Sequence, residues 1–263
     1  MWVVIRKSVL VGCGVLLLIL SVFAFLLWRE YDQLPFSKET RSAFSANSAL
    51  QSDAPQSAIK IMPPSVIVID PGHGGEDGGS VSPEGIAESG INLEISRKVR
   101  DLMIFFGQDV IMTRTEDVSI GDADLPTVRQ RKNSDIRRRV EIANAQENAL
   151  LLSIHQNILP SSPVTWGAQV FWNRQAGGEA LAKSIQAALN EEINAGNPKQ
   201  AREIDPSIYL MKYAEIPAAL VECGFLSNPA EVMRLLDNTW QTKIAAAITA
   251  GTLCYTSSLM SSF

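Results

Sequence analysis

The two histidines of this chain are the residues best suited to chemistry, because each follows an apolar run. His73 lies in the stretch Asp70–Gly75, directly after Val66–Ile69, and His155 ends the run Leu150–Ile154. Histidine is the commonest zinc ligand, and catalytic zinc sites often combine two histidines with one carboxylate and a water. A single histidine at a strand end is usually structural, but here both histidines of the chain stand in equivalent settings at the ends of predicted strands. The pattern therefore predicts a zinc hydrolase.

Carboxylates near strand ends are the candidates for a third ligand and a general base. Glu222 follows the apolar run Pro217–Val221, where a carboxylate is costly to desolvate unless it has a partner or a role. Glu88 is expected in a loop, shortly before a helix that starts at Asn92. The loop carboxylates that compete with Glu88 are Glu76, Asp77 and Glu84. The residues by themselves leave the third ligand open.

Strands and helices alternate through the main part of the chain. Short apolar runs predict strands covered on both faces, at Val66–Ile69, Val110–Met112, Leu150–Ile154, Ala168–Trp172 and Ala218–Val221. Helical patterns lie at Asn92–Phe106, Ser134–Glu147, Glu179–Asn194, Pro229–Leu236 and Thr239–Tyr255. We predict an α/β fold, a three-layer sandwich with a mostly parallel central sheet and helices on both faces. Ligands of such folds collect at the carboxyl ends of the strands, which is where we expect both histidines and the zinc site.

The N-terminal residues predict export. Arg6 and Lys7 precede a near-continuous apolar run from Val9 to Trp28, which matches the ~20 residues that a helix needs to cross a membrane. We favour an uncleaved signal-anchor in residues 1–30 over a cleaved signal peptide, whose apolar region is shorter. A possible cleavage site at Ala24 leaves secretion as the alternative. The expected location is extracytoplasmic, with the domain held at a membrane.

Composition divides the rest of the chain. Residues 31–64 are rich in Ser, Ala, Gln, Asp and Pro, which predicts a flexible linker. Residues 65–256 are long enough for one domain, and residues 257–263 are expected to form a C-terminal tail. Cys13 matches a lipobox pattern, but we interpret it as membrane-buried because the apolar run continues beyond it. Three cysteines cannot form a disulfide framework, and a net charge of −5 argues against nucleic acid.

Four runs of this sequence resemble motifs of the zinc-dependent N-acetylmuramoyl-L-alanine amidases (amidase type 3). They are Asp70–Gly75, Glu88 followed by Asn92-Leu93, Ser153–Asn157 and Val221–Asn228, and a further match is Arg139–Asn144. The resemblance implies that His73, Glu88 and His155 bind Zn²⁺ and that Glu222 is the catalytic acid/base. It also implies hydrolysis of the amide between N-acetylmuramic acid and L-alanine in peptidoglycan, whose glycan strands carry the peptide stems.

Supporting roles are expected for three more residues. Asn157 is a candidate for orienting a ligand or substrate, with a turn residue as the open alternative. Asp70 is expected to support His73 rather than to bind the metal. Arg139 belongs to a basic cluster that either binds stem carboxylates or, as we prefer, forms a solvated helix face. The cluster consists of Arg129, Arg131, Lys132, Arg137, Arg138 and Arg139.

Within the family, Arg131-Lys132 with Asp135–Arg139, and Ile208–Met211, resemble the germination-specific amidases of spore-forming bacteria. That resemblance implies removal of stems from spore cortex at the forespore membrane. A muramic-acid deacetylase would then act on the product in forming muramic lactam. The alternatives are a general wall-remodelling autolysin and an inactive wall-binding regulatory module. A cysteine hydrolase using Cys223 with His155 is opposed by strand alternation, which directs Cys223 away from Glu222.

Overall fold

The structure is a computed structural model that describes residues 64–261. These residues belong to one compact unit. The predicted signal-anchor, residues 31–63 of the predicted linker, and the last two residues lie outside the described part. Within the described residues, no helix has both the length and the apolar character needed to span a membrane.

A six-stranded sheet forms the centre of the domain. Its strands are β1 (Val66–Pro71), β2 (Asp109–Met112), β3 (Ala149–Asn157), β4 (Gln169–Trp172), β5 (Arg202–Glu203) and β6 (Ala218–Phe225), in the spatial order β2-β1-β3-β6-β4-β5. The pairs β1–β2, β1–β3, β3–β6 and β4–β5 are parallel, and β4–β6 is antiparallel. The predicted mostly parallel sheet is confirmed. The sequence does not predict β5, because its two exposed residues carry no apolar run.

Six helices surround this sheet in the described part of the chain. They are α1 (Glu88–Phe105), α2 (Val128–Asn144), α3 (Gly178–Glu192), α4 (Tyr209–Tyr213), α5 (Pro229–Leu236) and α6 (Asn238–Met260). The five-residue α4 has no counterpart in the predicted elements. Helix α6 continues to Met260, so the first residues of the expected C-terminal tail are helical.

Apolar side chains fill two cores, one on each face of the sheet. Leu152 and Ile154 of β3 contact the larger core, which includes residues of α1, α3, α5 and α6. Ala149 and Leu151 of the same strand point to the smaller core, with residues of α2 and α4. The alternation of strand side chains explains this division, because successive residues face opposite sides of a sheet. Helices on both faces are therefore confirmed.

Helix ends depart from the predicted boundaries where polar capping, rather than apolar periodicity, sets them. Helix α2 begins at Val128 instead of Ser134, because Thr127 and Gln130 form a capping box. Its first turn is exposed, so an apolar pattern does not mark it. Gly107, with a φ of 77°, follows the end of α1 as expected of a helix-terminating glycine.

Candidate active site

The carboxyl ends of the central strands bring the predicted site residues together. Strands β3 and β6 are neighbours, and their register places His155 beside Glu222. His73 follows β1, which is the other neighbour of β3. Ligand atoms of His73, Glu88 and His155 all lie within 4.8 Å of one another. Three side chains that are far apart in sequence therefore form one cluster.

Glu88 is the central member of this cluster and is 2% exposed. Its Oε1 atom lies 2.9 Å from His73 Nε2, and its Oε2 atom lies 3.8 Å from His155 Nδ1. Burial raises the pKa of the Glu88 carboxyl, but the interactions with the imidazoles of His155 and His73 outweigh it, and the pKa falls below its usual range. The expected loop position is wrong: Glu88 is the first residue of α1, where the helix dipole favours a carboxylate.

Backbone groups also hold the Glu88 carboxylate. The Ser80 N–H donates to Oε1 over 2.8 Å, and the Gln156 N–H donates to Oε2 over 2.8 Å. One donor comes from the glycine-rich loop and the other from β3, directly after His155. The carboxylate is thus fixed from both sides in an ionised form that accepts hydrogen bonds.

The His73 imidazole is oriented by two carboxylates. Its Nδ1 atom donates to Asp77 over 2.8 Å, which leaves Nε2 directed at Glu88. Burial lowers the pKa of His73, but the hydrogen bonds to Asp77 and Glu88 outweigh it and raise the pKa to about 9. The backbone of His73 has a φ of 60°, a left-handed conformation that non-glycine residues seldom adopt and that clusters at functional sites.

The cluster has the donor set and electrostatics that Zn²⁺ requires. Two imidazoles and one carboxylate are a usual catalytic zinc set, and a carboxylate on the far nitrogen of a histidine commonly orients such a ligand. Asp77 on Nδ1 and Glu88 on Nε2 both raise the pKa of His73, so this carboxylate pair favours positive charge at the imidazole. A metal ion replaces a proton at such a position.

Glycines bring the loop close around the same cluster. A Cβ atom on Gly72 would overlap the His155 ring, and one on Gly79 would overlap the Glu88 carboxylate. Gly79 also has a φ of 71°, which favours glycine on conformational grounds. The loop therefore leaves no space for a further side chain at the cluster, and its residues fit a small ion.

Glu222 faces the cavity next to the cluster, and its Oε2 atom is buried without a hydrogen-bond partner in the described structure. Burial raises the pKa of this carboxyl to about 7. A carboxyl with a pKa near neutrality can both accept and release a proton during a reaction at physiological pH.

The neighbouring Cys223 is 1% exposed and belongs to the larger core. Burial also raises the pKa of its thiol. Because Cys223 lies in the core and does not line the cavity, the structure contradicts the cysteine-hydrolase alternative.

Asp70 and Arg139 form a buried ion pair behind the cluster, with a distance of 2.7 Å between Oδ1 and Nη1. Asp70 also accepts hydrogen bonds from the hydroxyls of Thr113 and Ser153. Arg139 donates to the carbonyls of Pro71 and His73 over 2.7 Å each. The pair therefore holds the turn that carries His73 through the Arg139 guanidinium.

Arg139 corrects the interpretation of the basic cluster. It is 1% exposed, so it lies neither on a solvated face nor among the residues that line the cavity. The guanidinium of Arg131 forms an ion pair with Glu76, and the ammonium of Lys132 forms one with Asp77, both at 2.6 Å. These two residues attach α2 to the loop of His73. The predicted solvated helix face with local ion pairs is found at Arg138, which pairs with Glu141 on the same helix.

The sequence does not identify Asn92 and Arg114 as site residues. The Asn92 amide donates to the Gly72 carbonyl and to Glu88 Oε2, and it accepts a hydrogen bond from the Gln156 side chain. Arg114 donates to the carbonyls of Pro71, Gly72 and Ser89. Asn92 stands in a matched motif, which is a signal that could have found it, whereas Arg114 stands in none.

Asn157 has features of both roles considered for it. Its side chain lines the cavity, but its Oδ1 atom accepts a hydrogen bond from the Ile158 N–H over 2.8 Å, as a turn residue does. The register between β3 and β6 shifts between His155 and Asn157. Simple alternation therefore does not determine the direction of this side chain.

A cavity of about 390 Å³ opens beside the cluster. The cluster of His73, Glu88 and His155 lines this cavity together with Glu222. The apolar residues of its lining are Ile136, Ile158, Ile208, Tyr209, Leu210 and Leu220. The volume lies in the range of small-molecule sites. The arrangement can hold a substrate between an ion site, a proton-transferring carboxyl and an apolar wall.

Comparison with known proteins identifies this arrangement. The family model described as N-acetylmuramoyl-L-alanine amidase matches residues 67–253. The germination-specific N-acetylmuramoyl-L-alanine amidase of Bacillus subtilis is 37% identical over 190 residues, which are 72% of this chain and 79% of that protein. The amidase LytC of Bacillus subtilis is 29% identical over 192 residues, which are 72% of this chain and 35% of that protein.

Solved structures give the same result. The CwlD amidase from Clostridioides difficile, solved in complex with the GerS lipoprotein, aligns with a TM-score of 0.71 and 36% identity. The alignment covers 74% of this chain and 99% of that one. An N-acetylmuramoyl-L-alanine amidase from Clostridium difficile 630 aligns with a TM-score of 0.65 and 26% identity, over 74% of this chain and 98% of that one.

Fold and site together define an amide-hydrolysing enzyme with a three-layer α/β architecture. The chain belongs to the N-acetylmuramoyl-L-alanine amidase family, which confirms the resemblance found in its motifs. It is an enzyme that hydrolyses the amide between N-acetylmuramic acid and L-alanine in peptidoglycan. Its action is extracytoplasmic, because its relatives are cell-wall amidases and peptidoglycan lies outside the cytoplasm.

Proposed function

We propose that the enzyme is a zinc amidase in which His73, Glu88 and His155 hold the metal and Glu222 transfers protons. The observation that carries this proposal is the convergence of these four side chains on one cavity. Zn²⁺ held there would supply a Lewis acid that polarises the scissile carbonyl and lowers the pKa of water toward ~7. The chain itself supplies the orientation of the ligands and the movement of protons.

Glu222 has the environment that such proton transfer needs. With a pKa of about 7, its carboxylate accepts a proton from the attacking water and then delivers that proton to the amine of L-alanine as the amide breaks. Its buried and unpartnered Oε2 atom is available for a group of the substrate or for water. The ligand-bearing segments are held in place by four residues that do not line the cavity, namely Asp77, Asn92, Arg114 and Arg139.

The Glu222→Gln variant tests this assignment. It keeps the shape of the side chain but removes the proton acceptor, so we expect normal zinc content and a loss of turnover of about 10²–10⁴-fold. Glu231→Gln is a matched control, because Glu231 is also a buried glutamate with a raised pKa but does not line the cavity. Near-normal turnover of Glu222→Gln with zinc bound would show that another group moves the proton.

We further propose that the enzyme removes peptide stems from spore cortex. The support is its similarity to the germination-specific amidase and to CwlD, each across most of that relative's length. A muramic-acid deacetylase is the enzyme that we propose acts on the stem-free muramic acid, which leads to muramic lactam. Muropeptide analysis of spores from a deletion strain is the test. Normal muramic lactam in those spores, or a source organism that forms no spores, would contradict this role.

Residues 1–30 are proposed to anchor the enzyme in the membrane, with residues 31–64 as its tether. A flexible linker of this length spans about 30 Å on average, so the domain would act on glycan close to the membrane. Fractionation of cells that express the full chain, or a chain lacking residues 1–30, tests the anchor. An equal membrane fraction for both chains would contradict it.

A further inference from the structure

The apolar side of the cavity is unused by the chemistry proposed above. Ile208 and Tyr209 line the cavity beside Glu222 and remain 39% and 37% exposed. The following residues, Leu210 and Met211, are buried in the smaller core and attach α4 to the domain. Ile208 and Tyr209 therefore do not serve the core, and we refer to these two residues as the α4 wall.

Hydrogen bonds fix the α4 wall in position. The Ser207 N–H donates to the Asp205 carboxylate over 2.8 Å, and the Ile208 N–H donates to the Asp205 carbonyl over 3.1 Å. At the other end of α4, the Asn144 side chain donates to the Tyr213 carbonyl over 2.9 Å, which ties this helix to α2. A surface that is rigid before binding loses little conformational entropy when a ligand arrives.

The chemistry of the cavity indicates which part of the substrate meets the α4 wall. Apart from the cluster and Glu222, its polar lining consists of the neutral side chains of Ser80, Ser153, Gln156, Asn157 and Ser207. Among the described residues that line the cavity, none is lysine or arginine. A peptide stem carries at least its terminal carboxylate, for which this lining offers no cationic side chain. An N-acetylated amino sugar has a neutral amide in place of the amine, is rich in hydroxyl groups, and has an apolar C–H face.

We propose that the α4 wall is the subsite for the glycan side of the substrate, with the C–H face of an amino-sugar ring lying on Tyr209 and Ile208. The negative face of an aromatic ring attracts the slightly positive C–H groups, and Ile208 extends the same apolar surface. The neutral hydroxyl and amide groups across the cavity then face the polar edge of the sugar. This assignment rests on the proposed function, because it places the scissile amide between the cluster and Glu222.

Ligand binding to full-length protein in the Glu222→Gln background is the test, because turnover is expected to be about 10²–10⁴-fold lower there. The two probes are stem-free glycan chains and free peptide stem, which are the two halves of the substrate. We expect Tyr209→Ala to weaken glycan binding by about 3- to 10-fold and to leave stem binding unchanged. Tyr209→Phe should retain glycan binding, because the ring and not the hydroxyl makes the contact.

Met233→Ala is the control, since Met233 is 71% exposed on α5 and does not line the cavity. Unchanged glycan affinity in Tyr209→Ala, or a loss confined to the stem, would overturn the assignment. Zinc content and turnover with Glu222 present separate this result from the proposed function. If the native chain bound no zinc, the proposed function would fail. If Tyr209→Ala kept normal zinc content, turnover and glycan binding, only the assignment of the glycan subsite would fail.

Discussion

The side-chain amide of Asn92 lies 3.4 Å from the Glu88 carboxylate, one helical turn further along α1. The same amide is bound to the carbonyl of Gly72, which precedes His73, and to the side chain of Gln156, which follows His155. One buried residue is thus connected to all three segments that carry the proposed ligands. Groups that orient metal ligands in this way commonly contribute 10- to 100-fold to metal affinity.

Asn92→Ala is therefore expected to weaken zinc binding by roughly 10- to 100-fold, because Glu88 loses a donor and the two histidine segments lose their common contact. Competition with a chelator measures the affinity. The matched control is Ser96→Ala, one turn further on, since the buried Ser96 hydroxyl has no hydrogen-bond partner in the described structure. Equal zinc affinity in the two variants would refute the role of Asn92.

Gly79→Ala is expected to lower zinc affinity by at least about tenfold, because the added methyl group overlaps the Glu88 carboxylate. Gly85→Ala is a close control: Gly85 also has a positive φ, of 88°, but a Cβ atom there meets nothing within 4 Å. Both variants carry the conformational cost of alanine at positive φ, so only the contact with the cluster distinguishes them. Chelator competition decides, and parallel losses in both variants would contradict this argument.

Arg139→Ala is expected to lower the free energy of unfolding by about 3–5 kcal/mol, because it leaves the buried Asp70 carboxylate without its partner. The adjacent Arg138 forms an exposed ion pair with Glu141, so Arg138→Ala should cost no more than about 1 kcal/mol. Urea unfolding of the two variants gives the comparison. Similar losses would show that burial of the pair is unimportant.

The same ion pair makes stability depend on pH. Burial raises the pKa of Asp70, but the Arg139 charge and the hydroxyls of Thr113 and Ser153 outweigh it, so that the pKa is lowered. A carboxyl with a lowered pKa stabilises the fold above its unfolded pKa of ~3.9 and ceases to do so as the pH falls through its folded value. The stability gap between native protein and Asp70→Asn should therefore be full at neutral pH and narrow below about pH 4. A constant gap would contradict the ion pair.

The sequence predicts the central strands well, because β1, β3 and β6 are buried on both faces and carry uninterrupted apolar runs. It also locates His73 and His155, since His155 directly follows an apolar run and His73 lies in the short turn after another. The start of α2 and the short α4 are missed for a common reason. A capping box sets the start of α2, and α4 is a single turn attached through two buried residues. Neither feature produces a helical periodicity of apolar residues in the sequence.

The choice among loop carboxylates shows where sequence reasoning stops. Asp77 lies in the glycine-rich loop and Glu88 at the start of the helix that follows it, but Glu88 faces Nε2 of His73 and Asp77 faces Nδ1. Their positions depend on the turns of the glycine-rich loop, so only the family resemblance distinguishes them beforehand. Arg139 is similar, because a basic run gives no sign that one arginine points inward to Asp70.

Zinc content is the most direct test of the central claim. Elemental analysis of the purified full chain should find one zinc ion per chain, and His155→Ala and Glu88→Ala should each lose it. Glu84→Ala, which alters an exposed carboxylate in the same loop, should retain it. Equal zinc in the native chain and in His155→Ala would contradict the assignment of His73, Glu88 and His155 as the metal site.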